Sequence, residues 1–249
     1  MYYFEIYNEK YNIHIRNVCP RKIIFLEGGY GMGDIERIKK EKKFWEKIAN
    51  KYDNQTGIKD RVMYKDLIEK IKNELNGQEN VLEVACGTGI IALEIAKFSK
   101  KVIGIDISEK MIQIANSKLQ KEEIYNVEFK IGDGYNINFK NNSFDIVLLC
   151  NVLHVVKDPT KLLKEAKRVL KDEGVIITST DCYGKKDTLK AKFQYIFTII
   201  ANKIRIIPYL SWFREKDIIN LIEECGFKIV DKAQFKYMGI TGCYVKARK

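Results

Sequence analysis

The stretch that constrains this chain most is residues 81–92, which read VLEVACGTGIIA. Its first five residues are apolar and partly β-branched around one acid, as in a buried strand. The run breaks at Gly87-Thr88-Gly89 and then continues with the spacing of a helix. Glycine permits a tight turn and lets a ligand lie against bare backbone, while the first N–H groups of the helix point into the turn. The sequence therefore predicts a strand, a ligand-binding turn and a helix.

Strands and helices alternate along the chain after this turn. Beyond the first strand, further strands are predicted at residues 101–106, 127–131, 144–150, 174–180, 227–231 and 242–247. The helices between them are predicted at residues 90–96, 109–119, 160–170 and 217–225. Such alternation is typical of right-handed crossovers between parallel strands. We therefore expect an α/β fold with a mostly parallel seven-stranded sheet, an antiparallel last strand and helices on both faces.

The part before this core divides into two. Residues 32–78 contain two amphipathic helices, predicted at 35–52 and 59–75, which we expect to cover the ligand-binding edge of the sheet. In residues 1–31, Glu27-Gly28-Gly29 can be encoded by a purine run like a bacterial ribosome-binding site, and Met32 follows after a short gap. One hypothesis is that residues 1–31 are a translated leader. The alternative is an ordinary N-terminal extension.

Residues 79–249 form the predicted core, and residues 183–213 are an insertion in it that is too long for a plain connection. The insertion mixes six Lys or Arg residues with aromatic and aliphatic ones. One interpretation is a substrate lid, extended by an amphipathic helix that makes peripheral contact with a membrane. The other is a helical insertion that packs on the core.

Charge and cysteine usage bound the class of protein. The net charge of +11 is compatible with a nucleic-acid partner, but the lysines are spread along the chain, which favours a general compositional bias. The six Cys form no CxxC pair and accompany only two His, so we expect no metal site and no disulfide framework. Reduced thiols, and a start without the pattern of a secretory signal, are typical of a cytoplasmic protein.

Ligands of parallel sheets bind beyond the carboxyl ends of the strands. Three acids are expected at this edge: Glu83, Asp106 and Asp133. Each has a structural alternative, because Glu83 and Asp106 can cap backbone and Asp133-Gly134 can be a turn. An acid after the second strand binds ribose hydroxyls in dinucleotide sites. An NAD-dependent oxidoreductase and an adenosyl-cofactor enzyme both stay open, and an acid-rich pocket favours a cationic ligand such as a sulfonium.

The stretch from Glu83 to Gly89 resembles motif I of the class I S-adenosylmethionine-dependent methyltransferases. The resemblance extends over residues 43–249 and includes segments 104–108, 132–134, 144–147, 151–154 and 168–175. In character it is closest to the small-molecule branch that contains the ubiquinone and menaquinone methyltransferases, and it implies a Rossmann-like fold. Because this branch methylates carbon, oxygen, nitrogen and sulfur, the acceptor atom stays open.

The resemblance also implies which residues bind S-adenosylmethionine. The glycine turn is expected beside the methionine part, Asp106 at the ribose hydroxyls and Asp133 at the adenine amino group. Ile107 would lie against adenine, Tyr52 would close over the cofactor, and Glu83 would support its ammonium side through the turn. The expected contacts are Tyr52, Glu83, Ala85, Gly87, Gly89, Asp106, Ile107, Met111, Asp133, Gly134, Cys150 and Asn151.

Methyl transfer from a sulfonium needs placement more than side-chain chemistry, so a base matters only if the acceptor must lose a proton. His154, just past the fourth strand, is the candidate catalytic residue, with a packing role as the alternative. The expected partner is a small-molecule acceptor. RNA methylation is the alternative that the basic charge suggests, although neither Asn/Asp-Pro-Pro-aromatic nor Pro-Cys follows the fourth strand.

Overall fold

The computed structural model describes residues 6–8, 13–15, 32–55, 62–182, 195–200, 209–237 and 240–249. A short antiparallel pair comes first, β1 (Ile6–Asn8) with β2 (Ile13–Ile15). The strands of the main sheet are β3 (Asn80–Val84), β4 (Lys101–Asp106), β5 (Val127–Ile131), β6 (Phe144–Cys150), β7 (Leu170–Cys182), β8 (Lys228–Tyr237) and β9 (Ile240–Arg248). Their spatial order is β5-β4-β3-β6-β7-β9-β8. Within this sheet β9 alone runs opposite to the other six strands.

The helices flank this sheet and precede it. They are α1 (Met32–Ile48), α2 (Tyr52–Gln55), α3 (Val62–Lys72), α4 (Ile90–Ile95), α5 (Glu109–Lys121), α6 (Pro159–Val169) and α7 (Glu215–Glu224). Short 3-10 turns follow α1 and α4, at Ala49–Lys51 and Ala96–Phe98. None of the described helices has the length and apolar character needed to cross a bilayer.

The sheet is covered on both faces, as its composition requires. One core contains buried side chains of α6 and α7, including Leu162 and Ile218. The other contains side chains of α3, α4 and α5, including Leu67, Ile91 and Ile112. Burial on both faces explains why β6 is apolar at nearly every position. The predicted fold class, with its seven strands and antiparallel last strand, is confirmed.

Two strands are longer than their apolar runs indicate. β7 begins directly after α6, and β8 continues to Tyr237 instead of ending near residue 231. β8 gains its length by pairing with β9, and so do Asp181 and Cys182 at the end of β7. The start of β7 precedes its β9 partners, and Leu170 there pairs with Phe144 of β6. Because β8 is an edge strand with exposed polar positions such as Lys232 and Gln234, it carries little of the apolar pattern that marks a strand.

The topology places a crevice beside β3. From β3 the chain continues outward through β4 and β5, and β6 and β7 then build the sheet on the other side of β3. Ligands of doubly wound sheets bind at such a reversal, beyond the carboxyl ends of the strands. The loops after β3, β4, β5 and β6 are therefore the candidate site.

Candidate cofactor site

A cavity of about 760 Å³ lies at this reversal of strand order. Its wall combines the loops after β3 to β6 with side chains of α1. All the predicted cofactor contacts line it except Glu83 and Gly89. Those that do are Tyr52, Ala85, Gly87, Asp106, Ile107, Met111, Asp133, Gly134, Cys150 and Asn151.

The glycine turn after β3 has left-handed backbone at Ala85, Gly87 and Gly89, with φ of 58°, 54° and 78°. The two glycines face opposite ways. A Cβ on Gly87 would lie 3.7 Å from Tyr52 Cε1, on the cavity side, whereas one on Gly89 would lie 2.5 Å from Phe129 Cζ. Gly87 thus leaves room for a ligand, and Gly89 lets the helix pack against β5.

Asp106 ends β4 and ties the turn to it. One of its carboxylate oxygens accepts a hydrogen bond from Gly87 N at 2.9 Å, and the other accepts from Ser108 N at 2.8 Å. Burial raises the pKa of Asp106 to about 6, although both hydrogen bonds oppose the rise. The carboxylate still lines the cavity, so capping the backbone and binding a hydroxyl are compatible roles here.

Glu83 lies behind the turn. It is 3% exposed, and one carboxylate oxygen accepts a hydrogen bond from Ala92 N at 3.1 Å. Burial raises its pKa to about 8, with this hydrogen bond opposing the rise and the negative charge of Asp106 adding to it. Its described contact is therefore with the first turns of α4, which supports the glycine turn from inside.

The second wall of the cavity comes from α1, one of the helices expected at this edge, although the sequence analysis named none of its side chains as cofactor contacts. Arg37, Glu41 and Trp45 line the cavity from this helix. Their i, i+4, i+8 spacing places them on one helical face, which was the available signal. Further lining residues that the sequence did not single out are Val84, Gly132, Tyr135, Val152, Val155, Val156 and Leu162.

Tyr52 lines the cavity beside the turn, and the residue that follows it fixes the segment there. Asp53 accepts a hydrogen bond from Thr88 Oγ1 at 2.6 Å and pairs with Lys118 Nζ at 2.6 Å. Lys118 also donates to Thr88 O at 3.1 Å. The segment of Tyr52 is therefore attached to the glycine turn through Asp53.

The loop after β6 presents an unpartnered polar atom. Asn151 lines the cavity with left-handed backbone, φ 55°, and its Nδ2 donates a hydrogen bond to Tyr64 Oη at 2.7 Å. That bond fixes the amide, and its buried Oδ1 has no hydrogen-bond partner in the described structure. A buried carbonyl oxygen without a donor fits a ligand that carries an ammonium group.

The charges of the wall agree with such a ligand. Among the residues that line the cavity, Glu41, Asp106 and Asp133 are acids and Arg37 is the one base. An acidic wall disfavours the pyrophosphate of a dinucleotide and suits a sulfonium with an amino group. The residues present therefore fit S-adenosylmethionine. Within the described residues no group of three or more His, Cys, Asp or Glu is arranged to hold a metal ion.

His154 does not line the cavity, although Val152 and Val155 beside it do. It is 7% exposed, and its Nδ1 has no hydrogen-bond partner in the described structure. Burial lowers the pKa of His154 below its usual value, and the negative charge of Asp181 offsets this only in part. The end of the insertion contacts it, because Ser211 N donates to His154 O at 2.7 Å.

Comparison with known proteins supports the same cofactor. The family described as a methyltransferase domain matches residues 82–178. The demethylmenaquinone methyltransferase of Leptospira interrogans is 31% identical over 196 residues, which cover 75% of this chain and 77% of that protein. The corresponding enzyme of Staphylococcus saprophyticus is 27% identical over 197 residues, or 77% and 82% of the two chains. The chain belongs to the class I S-adenosylmethionine-dependent methyltransferases.

Solved structures agree with this methyltransferase fold. A methyltransferase structure from Bacillus halodurans has a TM-score of 0.64 at 22% identity and covers 74% of this chain and 99% of its own. A methyltransferase from Methanosarcina mazei described as SAM-dependent has a TM-score of 0.61 at 24% identity, covering 72% and 96%. The cofactor of this methyltransferase is S-adenosylmethionine, and its acceptor is a small molecule.

Proposed function

We propose that this methyltransferase acts on a hydroxylated aromatic acceptor of the demethylmenaquinone kind, in its reduced form. The observation that carries the proposal is the buried Nδ1 of His154, which has no hydrogen-bond partner among the described residues and belongs to the loop whose Val152 and Val155 line the cavity. The relatives named demethylmenaquinone methyltransferase support the same acceptor class.

The cofactor contacts predicted from the sequence belong to this proposal. Asp106 accepts from the ribose hydroxyls, Asp133 faces the adenine amino group, and Asn151 Oδ1 accepts from the ammonium group. Gly87 and Tyr52 bound the methionine part, while Glu83 and Gly89 hold the turn from behind. When bound, the cofactor supplies a methyl group on a sulfonium, which is already a strong donor.

The acceptor lies beyond the loop after β6. Cys150, Val152, Val155 and Val156 give this end of the cavity an apolar lining that suits an aromatic ring. His154 is neutral near pH 7 because its pKa is lowered, so it can take a proton from an acceptor hydroxyl. The negative charge of Asp181 stabilises the imidazolium that results. The deprotonated oxygen makes the ring carbon, or the oxygen itself, a better nucleophile.

The test is an assay with labelled S-adenosylmethionine and a short-chain demethylmenaquinol kept reduced. We expect a product heavier by one methyl group, and fragmentation in the mass spectrometer separates methylation at carbon from methylation at oxygen. Matched phenols and thiols in the same assay define the chemical class of the acceptor. Turnover of RNA alone, with no small acceptor methylated, would overturn the proposal.

His154→Gln tests the base. We expect turnover to fall by about 10²–10⁴-fold, while the affinity for S-adenosylmethionine, measured by calorimetry, stays within about twofold because His154 is outside the cofactor cavity. A variant that keeps its turnover removes His154 as the base. Loss of cofactor affinity instead assigns His154 a structural role.

The insertion at residues 183–213 is proposed as the lid over this acceptor. Of its described part, residues 195–200 are helical, and Ile196, Phe197, Ile199 and Ile200 are exposed. Exposed apolar side chains in a basic segment favour peripheral contact with an anionic membrane. We place the enzyme in the bacterial cytoplasm. Sedimentation with anionic but not with neutral vesicles supports this contact, and equal sedimentation with both, or with neither, contradicts it.

A further inference from the structure

Arg37 reaches from α1 across the cavity to Asp133. One terminal nitrogen donates a hydrogen bond to Asp133 Oδ2, and the other donates to Glu41 Oε2 at 2.7 Å. The guanidinium carbon lies 4.3 Å from the ring centre of Tyr135. Because the Arg37 side chain is only 13% exposed, solvent and salt screen these contacts little.

Each carboxylate oxygen of Asp133 already accepts one hydrogen bond. Its Oδ1 accepts a hydrogen bond from Tyr135 N at 3.1 Å, and its Oδ2 accepts from Arg37. In the proposed placement of the cofactor, the same carboxylate faces the adenine amino group. A guanidinium N–H and an aromatic amino N–H are both planar donors, and Arg37 and Asp133 line the same cavity. The guanidinium therefore fills space through which an adenine amino group would approach this carboxylate.

The helix that carries Arg37 is only half-buried against the core, and ion pairs contribute to its attachment. From residue 33 to residue 48 no side chain is classed as buried. Ion pairs join the helix to its neighbours, with Asp34 Oδ1 at 3.6 Å from Lys161 Nζ and Lys42 Nζ at 3.3 Å from Glu109 Oε2. Detaching such a helix costs less free energy than opening a strand of the core.

We propose that Arg37 is an internal competitor of the cofactor, which holds Asp133 in the free protein and must leave it when adenine binds. The inference rests on the proposed cofactor placement. Glu41, one turn further along α1, retains the guanidinium when the contact with Asp133 is broken. Arg37 thereby lowers the affinity and slows the entry of S-adenosylmethionine, and it links occupancy of the adenine end to the position of α1.

Arg37→Met and Lys161→Met make a matched pair for testing this. Both remove one positive charge near the same ring, since Lys161 Nζ lies 5.5 Å from the ring centre of Tyr135, and only Arg37 contacts Asp133. Their effects on the long-range attraction of a cationic cofactor are therefore similar. Calorimetry gives the affinity for S-adenosylmethionine, stopped-flow gives its association rate, and thermal unfolding confirms that both variants are folded.

We expect Arg37→Met to bind S-adenosylmethionine about 3- to 30-fold more tightly and to associate faster than Lys161→Met. Equal or weaker binding by Arg37→Met overturns the competition and makes Arg37 a positioning residue for Asp133. This result leaves the proposed function intact, because turnover of the unmodified protein tests that separately. Absence of cofactor binding in all three proteins overturns both.

S-inosylhomocysteine checks that the effect is at adenine. It carries a carbonyl where S-adenosylhomocysteine carries the amino group, so its oxygen can accept from Arg37 instead of competing with it. We expect Arg37→Met to gain affinity for S-adenosylhomocysteine and not for S-inosylhomocysteine. An equal gain for both ligands would show that Arg37 blocks the cavity elsewhere, which overturns the assignment to the adenine end.

Discussion

The two walls of the cofactor cavity are built in different ways. The sheet wall consists of loops that leave β3, β4, β5 and β6, strands whose side chains are mostly buried. Its polar groups are held by backbone, as Asp106 is by Gly87 N and Ser108 N. The helix wall consists of α1, whose side chains are half-buried or exposed and whose attachments include ion pairs.

This difference divides their roles. Positions in a packed sheet are fixed before a ligand arrives, which gives the preorganisation that binding and transfer require. A helix held by a few charged contacts can move away and return, which lets a ligand enter. We therefore expect changes in the sheet wall to affect folding and affinity strongly, and changes in the helix wall to affect mobility and rates.

The largest expected effect is at the glycine turn. Gly89→Ala combines left-handed backbone with a Cβ at 2.5 Å from Phe129 Cζ and 3.1 Å from Ala115 Cβ. We expect the free energy of unfolding in urea to fall by about 2–5 kcal/mol. Gly87→Ala has the same backbone strain without the clash, so it should lose only about 1–2 kcal/mol. Equal losses would contradict the opposite orientation of the two glycines.

Asp106→Asn should give the next largest effect, on affinity. A hydrogen bond to a charged group contributes about 1.5–3 kcal/mol, so S-adenosylmethionine should bind about 10- to 100-fold more weakly at pH 7.5. Because the pKa of Asp106 is raised to about 6, the wild-type affinity should also fall as the pH drops below that value. Calorimetry between pH 5 and pH 8 measures both. If the affinity of Asp106→Asn for S-adenosylmethionine depends on pH as the wild-type affinity does, the dependence belongs to another acid, such as Glu41.

The sheet wall was predictable because its signals are local in sequence. The glycine turn, Asp106 after β4 and Asp133 after β5 each follow a run of residues typical of a strand. Parallel topology alone then brings the ends of these strands together. The seven strands and their helices follow from the same alternation, and only the full lengths of β7 and β8 needed their pairing partners β6 and β9 to be known.

The helix wall was not predictable in the same way. Arg37 and Glu41 are typical of a solvent-exposed helix face, and their place against Asp133 depends on how α1 crosses the sheet edge, nearly one hundred residues away in sequence. Glu83 gave the opposite difficulty: it resembles a ligand contact in sequence, but it lies behind the turn and accepts from Ala92 N. A motif fixes the residue type, while the direction of its side chain comes from packing.

Glu83→Gln tests what a buried acid behind the sheet wall does to stability. Its pKa in the folded protein is raised to about 8, so its contribution to stability is present below about pH 4.5 and is lost as the pH rises through 8. We expect Glu83→Gln to be more stable than wild type at pH 8, by about 1–3 kcal/mol in urea unfolding. Well above pH 6 Asp106 is ionised and no longer changes stability with pH. The change in stability between there and pH 8 can therefore be assigned to Glu83. If the free energy of unfolding falls with rising pH to the same extent in wild type and Glu83→Gln, the pKa of Glu83 is not raised.

The smallest expected effect concerns the ion pairs of the helix wall. Lys42→Met removes the pair with Glu109 that joins α1 to α5. We expect the free energy of unfolding to change by less than about 1 kcal/mol, because the core strands do not depend on this pair. Hydrogen exchange measured by mass spectrometry should nevertheless become faster in α1 and stay unchanged in β3, β4 and β6.

Lys70→Met is the matched control, since Lys70 pairs with Asp231 at 3.0 Å and joins α3 to β8. It removes an inter-element ion pair of the same kind at the β8 edge of the sheet, so exchange in α1 should not respond. Faster exchange in α1 for Lys42→Met alone places the mobility of the cavity in the helix wall. Equal exchange in α1 for wild type and Lys42→Met would mean that half-buried apolar contacts hold the helix, and the two walls would then be equally rigid.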